Sequence, residues 1–410
     1  MPELDLEFVR KQFPAFSEPS LKGFAHFENA GGSFACGQVI ERLSEHYRKT
    51  KLQPYYDFEP SRSLGREMDR ARERLAGWLN IAPDELHFGP STTQNTYVLG
   101  QAFRGILRHG QEIIVTNQDH EANIGAWRRL EADGIVIREW RVDPDSGELD
   151  PAGLDELLND RTRLVAFTHC SNIVGSINPV RKLTAKIHAA GAFVCVDGVA
   201  YCPHGLPDVD ALGADLYLFS LYKVYGPHLG VMAMRRSINE WLPNQGHFFN
   251  ADKPAARFTP AGPDHVQIAA VNGVVDYLEA VHDHHFGAAT DGAADKALRV
   301  KRLFQEHEHR IAQALLGFIA AHPRTRLIGK AAMDSRAPTV SFAVTGQRAA
   351  GLASKLGAVN IGVGVGHCYA RRLIEALGLD PAEGVLRASL VHYTSEAEVD
   401  RLIASLDSLL

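Results

Sequence analysis

The sequence is poor in cysteine and has no apolar run that approaches the length of a membrane span. Its cysteines are odd in number, show no CxxC spacing and mostly lie within apolar runs: Cys36, Cys170, Cys195, Cys202 and Cys368. This usage excludes a disulfide framework and is typical of reduced cysteines. The acidic residues 1–5 also lack a basic-then-apolar leader. We therefore expect a cytoplasmic protein without a membrane partner.

An excess of basic residues is missing as well. Lysine and arginine number 43 against 49 aspartate and glutamate, which gives a formal net charge of -6. Nucleic acids and anionic membranes require a basic face, so the charge argues against both as partners. The 410 residues, 45% of them hydrophobic, are ample for a large core in two or three domains. A small molecule is the expected partner.

Short apolar strand candidates alternate with amphipathic helical stretches from about residue 68 to 235. The strand candidates are 85–88, 113–116, 136–140, 164–168, 192–197 and 216–220, and the helix candidates between them are 122–133, 151–159 and 180–190. Such alternation predicts a mostly parallel sheet covered by helices.

The last third of the chain has a different pattern. A long helix opens near Val266 and leads into a charged, histidine-rich segment, 282–310, which we predict to hold a domain boundary. Strands are then predicted at 339–344 and 385–390, with helices at 347–356, 370–377 and 395–409. This arrangement indicates a small α+β domain.

A carboxylate and an amine follow two neighbouring strand candidates. Asp197 ends one apolar run, and Lys223 comes just after the next, which ends at Ser220. Pyridoxal phosphate requires such a pair, because a lysine forms the Schiff base and a carboxylate keeps the pyridine nitrogen protonated.

Other polar residues come at the same ends of successive strands. Ser91, Thr92 and Thr93 open a helix, where hydroxyls and free N–H groups could bind phosphate, although a Ser or Thr helix cap is common without any ligand. His120 could stack on a pyridine ring or simply be solvated, and Asn172 could donate to the ring oxygen or serve an ordinary turn. Open α/β sheets bind ligands at this edge, so together these residues predict one site.

Six segments, in their order and spacing, resemble the class V aminotransferase family of fold-type I pyridoxal phosphate enzymes, which contains cysteine desulfurases and selenocysteine lyases. They are FENAGG (27–32), STTQ (91–94), DHEAN (119–123), THCSNIVG (168–175), VDG (196–198) and FSLYKVYGP (219–227). The resemblance implies an α/β fold with a mostly parallel seven-stranded sheet sandwiched by helices in a large domain, 21–285. It also implies a small α+β domain, 286–410, against which residues 1–20 pack.

The resemblance implies a role for each matching residue. Lys223 is then the Schiff-base lysine, Asp197 the partner of the ring nitrogen and His120 the stacking ring. Phosphate binding falls to Thr92, Thr93 and Ser220, and ring support to Asn172. Substrate binding falls to Asn29, Ala30, Cys368, Tyr369 and Arg387, where the arginine fork suits an α-carboxylate.

The departures from the family pattern concern the reaction. Cysteine desulfurases carry a nucleophilic cysteine on a loop of the small domain, but here Tyr369 stands at its place and Cys368 comes one residue early. Ala200, Tyr222 and Pro263 replace the glutamine, histidine and threonine usual in desulfurases. These changes leave cofactor binding intact and put reaction specificity in question.

The expected chemistry starts from an external aldimine with an amino-acid substrate, with freed Lys223 as the base. The resemblance favours cysteine desulfurase-like lyase chemistry at a C–S bond, in a homodimer. Transamination and epimerisation remain alternatives, as does a cofactor-binding protein without catalysis. A metal site at residues 282–285 or at His307 and His309 is not favoured, and the glycines at 362–366 lack the dinucleotide GxGxxG spacing.

Overall fold

The computed structural model describes residues 2–287 and 291–410. Met1 and residues 288–290 lie outside the described residues. Met1 belongs to the predicted N-terminal segment, and residues 288–290 belong to the segment 282–310 that was predicted to hold the domain boundary.

Over the described ranges the chain forms fourteen α-helices and twelve strands. The helices are α1 (Leu6–Lys11), α2 (Gly37–Lys49), α3 (Glu59–Trp78), α4 (Thr92–Arg104), α5 (Glu121–Arg128), α6 (Pro151–Leu157), α7 (Val180–Ala189), α8 (Val209–Leu212), α9 (Arg236–Trp241), α10 (His265–Phe286), α11 (Ala293–Ala321), α12 (Ala349–Gly357), α13 (Arg371–Ala376) and α14 (Glu396–Leu409). The strands are β1 (Ala25–Phe27), β2 (Leu86–Gly89), β3 (Glu112–Thr116), β4 (Val136–Trp140), β5 (Thr162–Thr168), β6 (Phe193–Asp197), β7 (Leu216–Ser220), β8 (Gly230–Met234), β9 (Thr325–Ile328), β10 (Thr339–Val344), β11 (Ile361–Gly366) and β12 (Val385–Ser389).

The first of two sheets has seven strands in the order β2-β8-β7-β6-β5-β3-β4. All its neighbours pair in parallel except β8, which is antiparallel to both β2 and β7. The predicted mostly parallel α/β sheet is thus confirmed. The sequence analysis missed β8, whose Gly-Val-Met-Ala-Met composition carries little strand preference outside its tertiary context.

Both faces of this sheet are buried because successive strand residues point to opposite sides. Ile113 and Val115 join an apolar core with α4 and α5, while Ile114 joins the core on the other face with α3, α7 and α10. The central strands β5, β6 and β7 are therefore largely apolar, and Asp197 and Ser220 are the last residues of β6 and β7.

The second sheet has five strands in the order β1-β11-β12-β10-β9. Its core packs against the end of α11 and against α12 and α14. The strand β1 comes from the start of the chain and pairs in parallel with β11. The chain segment that follows β1 therefore runs from the second sheet toward the first.

The N-terminal segment contacts three helices of the later chain. Arg10 pairs with Glu398 of α14 at 2.5 Å, and Asp5 bonds with His284 and His285 at the end of α10. Arg310 of α11 also pairs with Glu3. These contacts hold the N-terminal segment against α11 and α14, which pack on the second sheet, and against the end of α10, which packs on the first.

One helix ends differently from the sequence prediction. The helix predicted over 122–133 is α-helical only to Arg128 and continues as a 3-10 turn to Asp133, where Gly134 adopts a φ of 80°. The glycine cluster at 362–366 lies in strand β11, and a Cβ on Gly362 would approach the Phe24 ring to 2.7 Å. None of the helices in the described ranges is long and apolar enough to cross a membrane.

The contact between α10 and α2 predicts the effect of one glycine substitution. A Cβ on Gly273 would lie 2.6 Å from the Val39 nitrogen, so Gly273→Ala must separate the helices and should cost about 1–3 kcal/mol of unfolding free energy. Gly317 of α11 is the matched control, because a Cβ there meets nothing within 4 Å and Gly317→Ala should stabilise by about 0.5–1 kcal/mol. Chemical denaturation measures both, and equal stability of the two variants would contradict this packing.

Candidate active site

A cavity of about 540 Å³ lies at the carboxyl ends of the parallel strands. Eight of the twelve residues to which the family resemblance assigns a role line it: Thr92, Thr93, His120, Asn172, Asp197, Ser220, Lys223 and Tyr369. Asn29, Ala30, Cys368 and Arg387 lie outside its lining. The topology thus collects residues from α4, from the ends of four strands (β3, β5, β6 and β7) and from a loop of the second sheet.

A larger groove of about 1230 Å³ lies between the N-terminal segment and α14. Its lining combines apolar side chains with surface charges such as the Arg10–Glu398 pair, and it contains none of the residues singled out from the sequence. The smaller cavity is therefore the candidate active site.

Lys223 and Asp197 are brought together by neighbouring parallel strands, β7 and β6. Both side chains are buried. Burial lowers the pKa of Lys223 to about 8, with a further decrease from Arg387 and opposition from Asp197 and Glu28. Burial also raises the pKa of Asp197 to about 6, opposed by a 2.8 Å bond from the Val199 N–H and by the charge of Lys223.

The start of α4 forms the wall opposite the Asp197 carboxylate. Ser91 caps this helix by accepting a bond from the Gln94 N–H at 3.1 Å. Thr92 Oγ1 and Ser220 Oγ share a 2.7 Å hydrogen bond, which ties the helix start to the end of β7. A Cβ on Gly230 would lie 2.6 Å from the Thr92 nitrogen, so β8 approaches this turn closely. Free N–H groups and hydroxyls here suit an anion.

His120 caps α5 and presents its ring to the cavity. Its Nδ1 accepts a bond from the Ala122 N–H at 3.0 Å, which places the hydrogen of the neutral ring on Nε2. Burial, together with the charges of Lys223 and Arg387, lowers the pKa of His120 to about 3. The ring is therefore neutral at physiological pH, and its centroid lies 5.2 Å from that of Tyr369.

Asp119 supports this corner and was given no role from the sequence. It is buried, accepts a 2.8 Å bond from Asn123 Nδ2 and also bonds to the Thr116 hydroxyl. Burial raises its pKa to about 7 despite these bonds. Its position beside His120 in the DHEAN segment was the available signal.

Arg387 reaches toward the cavity from β12. Its Nη1 donates to the Asn172 carbonyl at 3.0 Å, and its Nη2 donates to Glu28 Oε1 at 2.6 Å. Glu28, within the FENAGG segment, was another residue without an assigned role. Asn29 and Ala30, which follow it, bond to Ser389 of β12 at 2.8 Å each and so join β1 to the arginine strand.

The loop after β11 carries Cys368 and Tyr369 over the cavity. Both adopt left-handed backbone angles, with φ of 43° and 60°, and the Tyr369 carbonyl accepts a 2.8 Å bond from the Glu121 N–H. Tyr369 is 70% exposed and lines the cavity. The Cys368 side chain instead packs against the large apolar core, and burial raises the pKa of its thiol.

The cavity also contains an aromatic pair that the sequence did not connect. The rings of Tyr222 and His228 are stacked, with centroids 4.7 Å apart and planes within 4°. Tyr222 was noted only as a departure from the family pattern. As for metals, the described ranges contain no group of three or more His, Cys, Asp or Glu side chains that could hold an ion.

Comparisons with known proteins place the chain in a family. The family model described as aminotransferase class-V matches residues 25–285 and 286–402. The chain is 36% identical to Aminotransferase-like protein FGM3 of Gibberella zeae, over 99% of this chain and 98% of that protein. It is 29% identical to Cysteine desulfurase-like protein ustD of Aspergillus flavus, over 99% of this chain and 91% of that protein.

A solved structure shares the fold. The apo structure of a cysteine desulfurase from Thermococcus onnurineus NA1 matches with a TM-score of 0.86 and 22% identity, over 100% of this chain and 98% of that chain. The chain belongs to the class-V aminotransferase family, and the resemblance read from the sequence is confirmed. Enzymes of this family use pyridoxal phosphate.

The burial of Asp197 predicts that replacing it raises the free energy of unfolding by an amount that depends on pH. Its pKa is raised from 3.8 to about 6, so at pH 7 the ligand-free fold holds an ionised carboxylate at a cost of up to about 3 kcal/mol. Asp197→Asn should therefore raise the unfolding free energy at pH 7. Because the folded protein takes up the proton as the pH falls through 6, this gain should shrink to about 1 kcal/mol at pH 4.5. Urea denaturation at both pH values checks this, and a gain independent of pH would contradict it.

Proposed function

We propose that this chain is a pyridoxal phosphate-dependent enzyme that cleaves a C–S bond in an amino-acid substrate. The observation that carries the proposal is the buried pair Lys223 and Asp197 at the ends of adjacent strands. Burial penalises an unpaired charge, so a buried amine and a buried carboxylate that form no ion pair with each other indicate a site for a charged ligand.

The residues present fit this cofactor. Thr92, Thr93 and Ser220, at the start of α4 and the end of β7, would hold its phosphate. Asp197 would pair with the ring nitrogen, and Asn172, whose buried Oδ1 has no partner in the structure, lies beside the cavity as ring support. When bound, the cofactor supplies an electron sink for the electrons left at the substrate α-carbon.

The electrostatics of the cavity suit proton transfer at Lys223. A pKa near 8 leaves a useful fraction of Nζ neutral at physiological pH, so it can link covalently to the cofactor and later take the α-proton. The neutral His120 ring can stack on the cofactor without adding a charge. A cationic ring nitrogen would keep Asp197 ionised, which offsets the cost of its burial.

The substrate would be held from the side of the second sheet. Arg387 would bind the α-carboxylate, while Asn29 and Ala30 order the backbone beside it. Tyr369, exposed over the cavity, would contact the substrate side chain.

The position of Cys368 favours elimination of the sulfur over its capture by the protein. The thiol packs against the core and its pKa is raised by burial, whereas Tyr369 faces the cavity. For cysteine, elimination with water gives pyruvate, ammonia and hydrogen sulfide. The names of the desulfurase and desulfurase-like relatives support chemistry at sulfur.

The proposal includes a cytoplasmic homodimer with a large unit at 21–285 and a small unit at 286–410, against which residues 1–20 pack. Exposed aromatic side chains offer candidate contact surfaces, namely Tyr55, Tyr56, Phe58, Phe248 and Phe249. Sedimentation velocity measures this assembly directly.

The cofactor assignment predicts the effect of two lysine substitutions. Lys223→Ala should abolish turnover and the absorbance band of lysine-linked cofactor, because no other amine takes its place in the cavity. Lys296→Ala is the matched control, since Lys296 is also largely covered but pairs with Asp283 in another part of the chain. Absorbance spectra of the purified proteins with added cofactor check this, and a band retained in Lys223→Ala would contradict it.

The elimination proposal predicts that Cys368→Ala still forms sulfide and pyruvate from L-cysteine, at rates within about threefold of the parent. Cys36→Ala, a buried cysteine outside the site, controls for general effects on the fold. Product analysis decides the reaction. Sulfide with alanine, lost in Cys368→Ala, would instead make Cys368 the nucleophile, and keto acid without sulfide would indicate transamination.

A further inference from the structure

Glu28 forms a direct ion pair with Arg387, the arginine proposed to hold the substrate carboxylate. The distance from Arg387 Nη2 to Glu28 Oε1 is 2.6 Å, and Arg387 is only 2% exposed. The arginine fork is thus already engaged by a carboxylate of the protein itself.

This ion pair is incomplete on both sides. Arg387 Nε and Glu28 Oε2 are buried, and neither has a hydrogen-bond partner among the described residues. Pairs between arginine and carboxylate are frequently bidentate, with both oxygens engaged. Here one carboxylate oxygen and one guanidinium nitrogen lack partners, so unused hydrogen-bonding capacity remains at this position.

Two glycines create the space for the Glu28 carboxylate. Gly364 lies opposite Arg387 in the register of β11 and β12, and a Cβ there would be 2.2 Å from Glu28 Oε2. A Cβ on Gly31 would be 2.5 Å from Glu28 Oε1. The sheet and the segment after β1 therefore both leave room for this carboxylate next to the guanidinium.

Two nitrogens of the Arg387 guanidinium already donate to the protein. Nη1 donates to the Asn172 carbonyl at 3.0 Å, and Nη2 donates to Glu28. The Nε–H and the second hydrogens of Nη1 and Nη2 are not used by these two bonds, and a substrate carboxylate bound to them would lie beside the like charge of Glu28. Glu28 and the substrate carboxylate therefore compete for the charge of one guanidinium.

We propose that Glu28 weakens the binding of the substrate α-carboxylate by competing with it for the charge of Arg387. This inference rests on the proposed function of Arg387. A carboxylate ligand gains less from Arg387 while Glu28 is paired with it. Amines without an α-carboxylate gain nothing from the arginine and leave the pair in place.

The test is a binding titration of the cofactor-loaded protein followed by the shift of its absorbance band. Glu28→Gln keeps the shape of the side chain and removes its charge, so the dissociation constant for L-alanine should fall about tenfold, the scale of one charge-assisted hydrogen bond. The constant for ethylamine, which lacks the carboxylate, should stay within about twofold. Glu28→Asp retains the charge but moves it away from Nη2. This variant should also lower the dissociation constant for L-alanine, by a smaller factor.

Glu139→Gln is the matched control, because Glu139 also pairs with an arginine, Arg128, but lies outside the cavity lining. It should leave both constants unchanged. Weaker or unaltered L-alanine binding in both Glu28 variants would overturn the inference and make Glu28 a support for Arg387. An equal change for ethylamine would overturn it too. If the parent protein shows no band of lysine-linked cofactor, the proposed function fails, and this inference fails with it.

Discussion

The candidate site depends on the burial of two ionisable groups, Lys223 and Asp197, at the edge of an apolar sheet. Burial disfavours the charged form of each, and it shifts their pKa values toward one another, to about 8 and about 6. The cost is tolerable because the sheet itself is covered on both faces by apolar cores. The same burial makes the pair sensitive to a ligand that supplies the missing charges.

The site is completed where the two sheets meet. Arg387 on β12 bonds to the carbonyl of Asn172, which follows β5, and the Asn172 side chain donates to the Cys368 carbonyl at 2.9 Å. The Tyr369 carbonyl in turn accepts a hydrogen bond from the N–H of Glu121, the first residue of α5. These contacts couple the loop over the cavity to the strand ends below it. A change at Arg387 would therefore be felt at the loop that faces the substrate.

Much of the first sheet was predictable, because strands such as 113–116 and 164–168 are apolar runs between amphipathic helices. The same reasoning found Lys223 and Asp197 from their places after strands. It missed β8, whose residues have weak strand preference, and β1, whose three residues gain their partner from β11 far along the chain. It also gave no role to Asp119 or Glu28, since a carboxylate in a loop is ordinary until its neighbours are known.

The sequence by itself determined the family, the order of the strands along the chain and the residue types at their ends, because these follow from local periodicity and from motifs contiguous in the chain. Only the tertiary structure decided that Tyr369 faces the cavity while the partly buried Cys368 packs against the large apolar core. It also decided that Glu28 forms an ion pair with Arg387, 359 positions away in the chain. The physical reason is that side-chain direction and long-range pairing depend on the packing of separate sheets, which no local pattern records.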